Sequence, residues 1–315
     1  MKKFIVGALL GLTALATVAK ELPVITLYVG YAAGSNSDKI ARALQVELQK
    51  DIPNRIIIDY KPGAGGDIAV GTVARNQSKE NNLLLTNINL PWWNINPNPN
   101  YNYRDLVPVA YLGTTPMIFV SHKSMPIRNR ADWDRLDPTV PVTFGSSGIG
   151  AGTHLDGEVL FYRGNKKMLH VPYRGSAMLM PELLTGQIKT AYSFRLEIQD
   201  FIRDGTVIPF AVAGYERIKT LPDVPTLNEI GMSDAWLPVW QIIVASPGTD
   251  TEIVKLFQRA LVKLYNDPAR RERFGEISDL QVDAKNVILK REFIQQQVDI
   301  YKDYARKIPS FAPAR

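Results

Sequence analysis

A short apolar strand passes through a turn of glycine and small polar residues directly into an amphipathic helix, and this unit limits the architectures open to the chain. Residues 23–29 alternate β-branched and other apolar side chains, as a half-buried strand does. Ser35 followed by Asp38 fits a capping box, which predicts that a helix starts near Asn36. Downstream, apolar side chains recur at one-turn spacing at Ile40, Leu44 and Leu48.

The turn itself, Tyr31-Ala32-Ala33-Gly34-Ser35-Asn36-Ser37-Asp38, has the composition of an anion site. Free backbone N–H groups of the first helical turn, the positive end of the helix dipole and the side chains of Asn36 and Ser37 would converge on a carboxylate or phosphate. An ordinary capped turn has the same composition, so the turn alone leaves both interpretations open.

A second turn of the same kind lies between Val142 and Asp156 and again joins a predicted strand to a predicted helix. It contains Gly145-Ser146-Ser147-Gly148, and Thr153 with Asp156 makes a second possible capping box. Ligands in open α/β sheets bind beyond the carboxyl ends of the strands. Two such turns therefore predict two lobes that face each other across a cleft.

The rest of the chain alternates strand and helix patterns, which predicts an α/β architecture with largely parallel sheets. With 315 residues, 45% of them hydrophobic, the chain is long enough for two domains with separate cores. Further strands are predicted over 56–59, 83–86, 107–111, 117–120, 142–144, 208–212 and 241–245. Helices are predicted over 37–49, 68–74, 153–162, 178–184, 197–204, 251–266, 268–276 and 289–307.

The amino terminus has the pattern of a cleaved secretory signal peptide. Lys2 and Lys3 precede an apolar run over 4–18, and small residues end at Ala19, so the predicted signal peptide is 1–19. The run is too short for a transmembrane anchor, which needs about 20 apolar residues. We therefore expect an extracytoplasmic protein, and the lack of cysteine excludes disulfides and thiolate metal sites.

Several function classes lack the residues that they require. The net charge of +6 favours acidic small molecules, whereas the scattered Lys and Arg residues form no nucleic-acid-binding motif. The three histidines show no metal-ligand spacing, the second turn lacks the Gly-x-Ser-x-Gly elbow of hydrolases, and Gly63-Ala64-Gly65-Gly66 lacks the Lys-Ser/Thr of a P-loop. We expect no catalytic residues, no metal, no cofactor and no nucleic-acid partner.

Six ordered motifs carry a family resemblance: 31–38, Lys61-Pro62-Gly63-Ala64-Gly65-Gly66, 145–148, His170-Val171-Pro172-Tyr173-Arg174-Gly175-Ser176, 221–227, and Trp240 followed by Pro247-Gly248-Thr249. With them the sequence resembles the Bug-type periplasmic solute receptors, the binding-protein partners of tripartite tricarboxylate transporters. The resemblance implies an α/β, two-lobed periplasmic-binding-protein fold, type II-like, with two crossover strands at the hinge. It implies that lobe one comprises 20–120 and 240–315 and that lobe two comprises 121–239.

The resemblance also implies a function. It describes a monomeric periplasmic protein that captures a small organic carboxylate between its lobes and delivers it to a tripartite tricarboxylate-type membrane transporter. A ligand-biased equilibrium between open and closed forms would equally serve a membrane sensor kinase, and the sequence leaves that alternative open.

Departures from the family pattern bear on the nature of the ligand. Ser35 stands where the family has a second glycine, and Asn36-Ser37 replaces the usual Ser-Thr pair. Ser193 stands where the family commonly has an acidic residue, which argues against a ligand with an amino group. Arg195 could offer its fork to a second carboxylate or simply face solvent.

Trp92 and Trp93 lie in a segment that is usually small and rich in Gly, Ser and Thr in the family. At the tip of a predicted loop they could stack on an aromatic ring, or they could pack on their own domain. Together with Arg195, they point to an aromatic dicarboxylate of the terephthalate kind.

These arguments yield one set of predicted ligand-binding residues. The amides of 34–37 and 146–148, with the hydroxyls of Ser37 and Ser147, would hold the carboxylate. Tyr31, Phe194 and two tryptophans would shape the apolar remainder. The complete predicted set is Tyr31, Gly34, Ser35, Asn36, Ser37, Asp38, Asn87, Trp92, Ser146, Ser147, Gly148, Thr153, Tyr173, Ser193, Arg195 and Trp240.

Overall fold

The computed structural model describes residues 22–95 and 101–311, which form two β-sheets flanked by helices. The first sheet has, in spatial order, β11 (Gln281–Val282), β4 (Val107–Thr114), β10 (Trp240–Ala245), β3 (Asn81–Asn87), β1 (Ile25–Val29) and β2 (Ile56–Tyr60). β1 pairs in parallel with β2 and β3, so the carboxyl ends of these three strands meet at one edge. β10 pairs antiparallel to β3 and β4.

The helices of this first lobe are α1 (Asn36–Leu48), α2 (Asp67–Arg75), α3 (Asn89–Asn94), α8 (Thr251–Asn266), α9 (Pro268–Ser278) and α10 (Arg291–Lys307). α1 packs against α8 and α9, and the apolar stripe that predicted α1 is fully buried against the strands. Ser35 is the N-cap of α1, and its Oγ accepts the N–H of Asp38 at 3.2 Å. The predicted start of this helix is confirmed.

The second sheet has, in spatial order, β7 (Met168–Pro172), β6 (Val142–Ser146), β8 (Thr190–Phe194), β5 (Met117–His122) and β9 (Val207–Ala213). β6 is parallel to β7 and β8, so a second set of parallel carboxyl ends meets at one edge. The helices of this second lobe are α4 (Arg130–Asp134), α5 (Gly152–Arg163), α6 (Ser176–Leu184) and α7 (Arg195–Arg203). The predicted two-lobed α/β fold is confirmed.

The chain crosses between the lobes twice. The first crossing lies between β4 and β5, and the second lies between β9 and β10. The two crossings are joined, because the N–H of Thr115 donates to the carbonyl of Val239 at 2.8 Å and Gln241 Nε2 donates to Thr115 Oγ1 at 3.3 Å. β5 pairs along its whole length with β8 and β9, which places the first division between the sheets a few residues before the predicted boundary at 120.

The structure differs from the sequence-based expectation in several strands, in two helices and in one helix cap. β7, β8 and the two-residue β11 were not predicted as strands, and α3 and α4 were not predicted as helices. The capping box predicted at Thr153 and Asp156 is wrong, because α5 begins at Gly152 after Ala151, whose side chain makes no cap. Asp156 Oδ1 accepts the N–H of Leu237 at 2.6 Å, and burial raises the pKa of this carboxyl well above its usual value.

The predicted signal peptide, 1–19, lies outside the described residues. Within 22–95 and 101–311, every helix is too short or too polar to span a lipid bilayer.

Candidate functional site

A cavity of about 720 Å³ lies between the two lobes. Its walls are the segments that follow the carboxyl ends of β1, β2 and β3 in lobe one and of β6, β7 and β8 in lobe two. Val239 and Gln241, at the second crossing, complete the wall. The cleft therefore lies where parallel strands end on both sides, the position that favours ligand binding in open α/β sheets.

The first loop, residues 30–37, contributes its whole length to the cavity wall. Gly34 has φ of +86°, which lets the chain turn sharply into α1. Its N–H donates to Asp38 Oδ2 at 2.7 Å, and Asp38 Oδ1 also accepts from Arg42 and Tyr60. The Asp38 carboxylate thus holds the loop from behind and lies outside the cavity wall, so the prediction that it contacts ligand does not match its placement.

Asn36 is the most informative residue of this loop. It lies in the first turn of α1, lines the cavity and is only 3% exposed, yet neither its amide nitrogen nor its amide oxygen has a hydrogen-bond partner within 22–95 and 101–311. A buried polar group without a partner costs free energy, so such a group in a cavity points to a ligand. Ser37, also buried, lines the same wall.

The second loop, residues 146–150, is braced from within lobe two. The N–H of Ser147 donates to Thr153 Oγ1 at 3.0 Å, and the N–H of Gly148 donates to Ser146 Oγ at 3.3 Å. Two of the three amides of 146–148 that were predicted to bind ligand are therefore already used inside the loop. Ser147 and Gly148 line the cavity, whereas Ser146 and Thr153 lie behind them and position the loop.

Two histidines lie beneath the second loop. His154 Nδ1 accepts the N–H of Gly150 at 3.2 Å, and His170 Nε2 lies 2.7 Å from Ser146 Oγ. The rings stack with centroids 4.3 Å apart. Burial, reinforced by the neighbouring His154, lowers the pKa of His170 to about 4, so His170 is neutral under the loop at physiological pH.

The sequence showed no metal-ligand spacing, but the fold brings ligand atoms of His154, Glu158 and His170 within 4.8 Å of one another. Because the Gly150 N–H fixes His154 Nδ1 as an acceptor, the ring proton belongs on Nε2, which lies 3.4 Å from Glu158 Oε1. Ser310, from beyond α10, donates to Glu158 Oε2. His154 and Glu158 therefore link the second loop to the carboxyl-terminal segment, and His170 stacks on His154.

The lobes touch along the edge of the cavity. A methyl group added to Gly65 would lie 2.4 Å from the carbonyl oxygen of Ile149, and one added to Gly150 would lie 2.5 Å from the ring of Trp92. Tyr31 donates its hydroxyl to the carbonyl of Gly65 at 2.8 Å, and burial raises the pKa of Tyr31 to about 12. These contacts describe a closed cleft.

Arg195 joins the two lobes and lies outside the cavity wall. Its Nε donates to Asp279 Oδ1 at 2.6 Å, and its Nη2 donates to the carbonyl of Glu276 at 3.3 Å. Asp279 follows α9 in lobe one, so the ion pair joins the two lobes. The prediction that Arg195 offers its fork to a second carboxylate is corrected accordingly, because the guanidinium is directed to a carboxylate of the protein.

The tryptophans also lie outside the cavity. Trp92 is in helix α3 and not at a loop tip; it is 1% exposed, and its Nε1 donates to the carbonyl of Phe311. Trp240 is 2% exposed and donates to Gln297. Both pack in the core, so their predicted roles in shaping the ligand pocket do not match the structure.

Of the other predicted residues, some line the cavity and one lies behind its wall. Asn87, Tyr173 and Phe194 line the cavity. Ser193 is buried behind the wall, and its hydroxyl donates to Glu197 Oε2 at 3.4 Å.

Sequence reasoning missed, as site residues, the segment after β2 (62–66 and Ile68), the amino terminus of α6, and eight residues elsewhere in the wall: Gly30, Ala32, Ala33, Ile149, Gly152, Glu197, Val239 and Gln241. Residues 172–177 line the cavity, and Gly175, with φ of +106°, turns the chain into α6. The motif His170–Ser176 carried part of the family resemblance, yet only Tyr173 was taken from it as a site residue. Glu197, Val239 and Gln241 had no local motif that could identify them.

Comparison with known proteins points to one family and one fold. The model of the family described as "Tripartite tricarboxylate transporter family receptor" matches residues 40–308. A curated Agrobacterium vitis protein, the UPF0065 protein in the TAR-I ttuE-ttuC' intergenic region, is 30% identical over 82% of this chain and 76% of its own length.

Among solved structures, the periplasmic binding protein BugD superposes with a TM-score of 0.81 at 24% identity, covering 91% of this chain and 98% of that one. The R. palustris protein Rpa4515 with adipate superposes with a TM-score of 0.80 at 21% identity, covering 91% of this chain and 97% of that one. At these identities the superpositions show the fold.

The histidine beneath the second loop makes stability depend on pH. The folded pKa of His170, about 4, lies below the ordinary value of 6.5, so the unfolded chain binds more protons between these two pH values. Stability therefore falls as pH drops through this window, and His170→Gln should flatten that part of the curve. Urea unfolding of both proteins from about pH 7 to about pH 5 measures it, and equal slopes would contradict the assignment.

The ion pair between Arg195 and Asp279 should favour the closed form. Asp279→Ala leaves a mostly buried guanidinium without its carboxylate, which costs about 1–3 kcal/mol in the closed form and nothing once the lobes separate. We expect a larger radius of gyration for the ligand-free variant in X-ray solution scattering. Arg203→Ala, which breaks an exposed pair with Asp200 inside lobe two, is the matched control and should leave the radius unchanged. An unaltered radius in Asp279→Ala would show that the pair does not hold the lobes together.

Proposed function

The chain belongs to the tripartite tricarboxylate transporter receptor family, and from that premise we propose that it captures a small organic carboxylate in the interlobe cleft and delivers it to membrane subunits of a transporter of that type. The family and the fold are those of solute-binding proteins and not of enzymes. The proposal places the mature chain, beginning near Lys20, in the periplasm as a monomer.

The observation that carries the proposal is the unpartnered amide of Asn36 at the amino terminus of α1. α1 has 13 residues, so its first-turn N–H groups and its dipole present a partial positive charge to the cavity. A carboxylate there would take hydrogen bonds from the backbone, from the Asn36 amide nitrogen and from the Ser37 hydroxyl. Adipate, a dicarboxylate, accompanies the similar structure of Rpa4515, which supports the same class of ligand here.

Closure of the lobes is the proposed means of capture. The first loop belongs to lobe one and the second loop to lobe two, so a carboxylate between them is enclosed only when the lobes meet. A ligand that contacts both lobes binds the closed form selectively and shifts the equilibrium toward it. The closed form is then the state that a membrane partner recognises.

The aromatic dicarboxylate suggested by the sequence loses its two supports. The ring of Trp92 packs in the core and, with Trp93, against Gly150 of the second loop outside the cavity wall, and Arg195 is bound to Asp279. A sensor kinase remains a possible recipient of the closed form. Co-purification with membrane subunits of a tripartite tricarboxylate-type transporter, or with a sensor kinase instead, distinguishes the two recipients.

A ligand screen tests the carboxylate proposal. Aliphatic diacids and triacids, aromatic mono- and dicarboxylates, and amino acids are each added to the mature protein, and the thermal unfolding midpoint is recorded. A ligand at a hundred times its dissociation constant adds about 2.7 kcal/mol to the free energy of unfolding. We expect a rise confined to one class of carboxylates. A panel without any shift would remove the proposal.

Two substitutions locate the carboxylate within the cleft. Ser37→Ala removes one hydroxyl donor and should weaken binding of the carboxylate found in the screen by about 1 kcal/mol, roughly fivefold. Gly148→Asp places an anion in the second loop at φ of +138° and should abolish binding through repulsion and strain. Ser310→Ala, on the far side of the histidine network, is the control for isothermal titration calorimetry. If Gly148→Asp binds like the parent protein, the carboxylate lies elsewhere.

A further inference from the structure

We infer that Asn89 positions the turn of residues 63–66 for closure of the lobes, and thereby sets how long the cleft retains a bound carboxylate. The inference rests on the proposed function and concerns a residue outside the cavity wall. It starts from the backbone of the turn, which a chain does not adopt readily without support.

The 63–66 turn joins β2 to α2 and has positive φ at four successive residues. The values are +134° at Gly63, +48° at Ala64, +57° at Gly65 and +99° at Gly66. Glycine accepts such a backbone, but alanine adopts it at a cost, because its Cβ then crowds the backbone carbonyl. A strained segment of this kind persists only where the surrounding structure holds it in place.

Two side chains of lobe one hold the turn at a single carbonyl oxygen. Asn89 Nδ2 donates to the carbonyl of Gly65 at 3.0 Å, and the Tyr31 hydroxyl donates to the same oxygen at 2.8 Å. Because a carbonyl oxygen has two lone pairs, the two donors together fix its direction. Asn89 reaches this oxygen only because residue 66 is glycine, since a methyl group added to Gly66 would lie 2.6 Å from Asn89 Nδ2.

Asn89 is itself fixed in one orientation. It is 1% exposed at the start of α3, and its Oδ1 accepts the hydroxyl of Thr86 at 3.0 Å and the N–H of Asn87 at 3.3 Å. A backbone N–H can only donate, so the amide oxygen belongs on the side of Asn87 and the amide nitrogen faces Gly65. The donor of this side chain is therefore used on the turn and not on a ligand.

The turn that Asn89 holds is a part of lobe one that meets lobe two. A methyl group added to Gly65 would lie 2.4 Å from the carbonyl oxygen of Ile149 and 3.1 Å from the backbone nitrogen of Ala151. Gly65 thus contacts the second loop at backbone distance. A displaced turn either loses this contact or overlaps the second loop, so the direction of one carbonyl decides how well the closed lobes fit.

Association and release should depend on Asn89 to different degrees. Capture begins when the carboxylate reaches the wall of the open cleft, and Asn89 lies outside that wall. Release requires the lobes to part, and a turn that fits the second loop poorly makes the closed form less stable. Loss of the Asn89 amide should therefore act on the dissociation rate and not on the association rate.

Fluorescence energy transfer between the lobes measures both rates. The chain has no cysteine, so Val46→Cys in α1 and Val140→Cys before β6, at positions 57% and 56% exposed, accept a pair of dyes. The probe is adipate or, where adipate leaves the unfolding midpoint unchanged, the panel carboxylate that raises it. Stopped-flow mixing follows closure, and dilution of the complex follows reopening. We expect Asn89→Ala to raise the dissociation rate constant about tenfold and to leave the association rate constant within about twofold of the parent value.

Asn94→Ala is the matched control in the same helix. Asn94 Nδ2 donates to the carbonyl of Leu90 at 2.8 Å, and its Oδ1 accepts the N–H of Tyr103 at 3.2 Å. This substitution also removes an amide that bonds to backbone through both of its ends, but those bonds stay within lobe one and apart from the turn. We expect both rate constants to remain within about twofold of the parent values.

The outcomes separate this inference from the function on which it rests. A folded Asn89→Ala protein with the dissociation rate constant of the parent overturns the inference, as does an equal change in Asn94→Ala or an effect confined to association. If Asn89→Ala does not fold, Tyr31→Phe decides, because it removes the other donor to Gly65 and should also speed dissociation; an unchanged rate then overturns the inference. In each of these cases the carboxylate-receptor function stands. If no carboxylate binds the parent protein, the proposed function fails and this inference fails with it.

Discussion

Among the described residues, the side-chain amide of Asn36 at the amino terminus of α1 has no hydrogen-bond partner, and the rest of the cleft is arranged around this deficit. The N–H groups of a first helical turn have no intrahelical partners, so their free energy depends on what reaches them. Asp38 takes the N–H of Gly34 and is itself bound to Arg42 and Tyr60, which leaves the Asn36 amide facing the cavity. The site is thus preorganised from behind for the carboxylate that we propose as its ligand.

Enclosure of the ligand depends on close backbone contact and on one ion pair between the lobes. Gly65 and Gly150 lie where no side chain fits, and this allows the loops of the two lobes to approach each other. Arg195 and Asp279 add an ion pair between the lobes. The two chain crossings are hydrogen-bonded to each other through Thr115, so relative motion of the lobes is concentrated at one place.

The two lobes contribute different charges to the cavity wall. Lobe one presents a helix amino terminus, and lobe two presents Glu197 held by two serine hydroxyls.

Local sequence patterns predicted the helix starts and strand ends, because these features depend on residues adjacent in the chain. The Ser35 cap, with the spacing of Ile40, Leu44 and Leu48, placed α1 to within a residue. Glycine-rich turns after apolar strands located both cleft loops, because helix starts and strand ends are set by adjacent residues.

Contacts between residues that are distant in sequence were decided only by the tertiary structure. Arg195 meets Asp279, 84 residues away, Trp92 meets Phe311 across 219 residues, and Glu197 enters the wall through its place on α7. Whether an arginine binds ligand or protein, and whether a tryptophan lines a pocket or a core, is a matter of which surfaces pack together, and no local spacing carries that information.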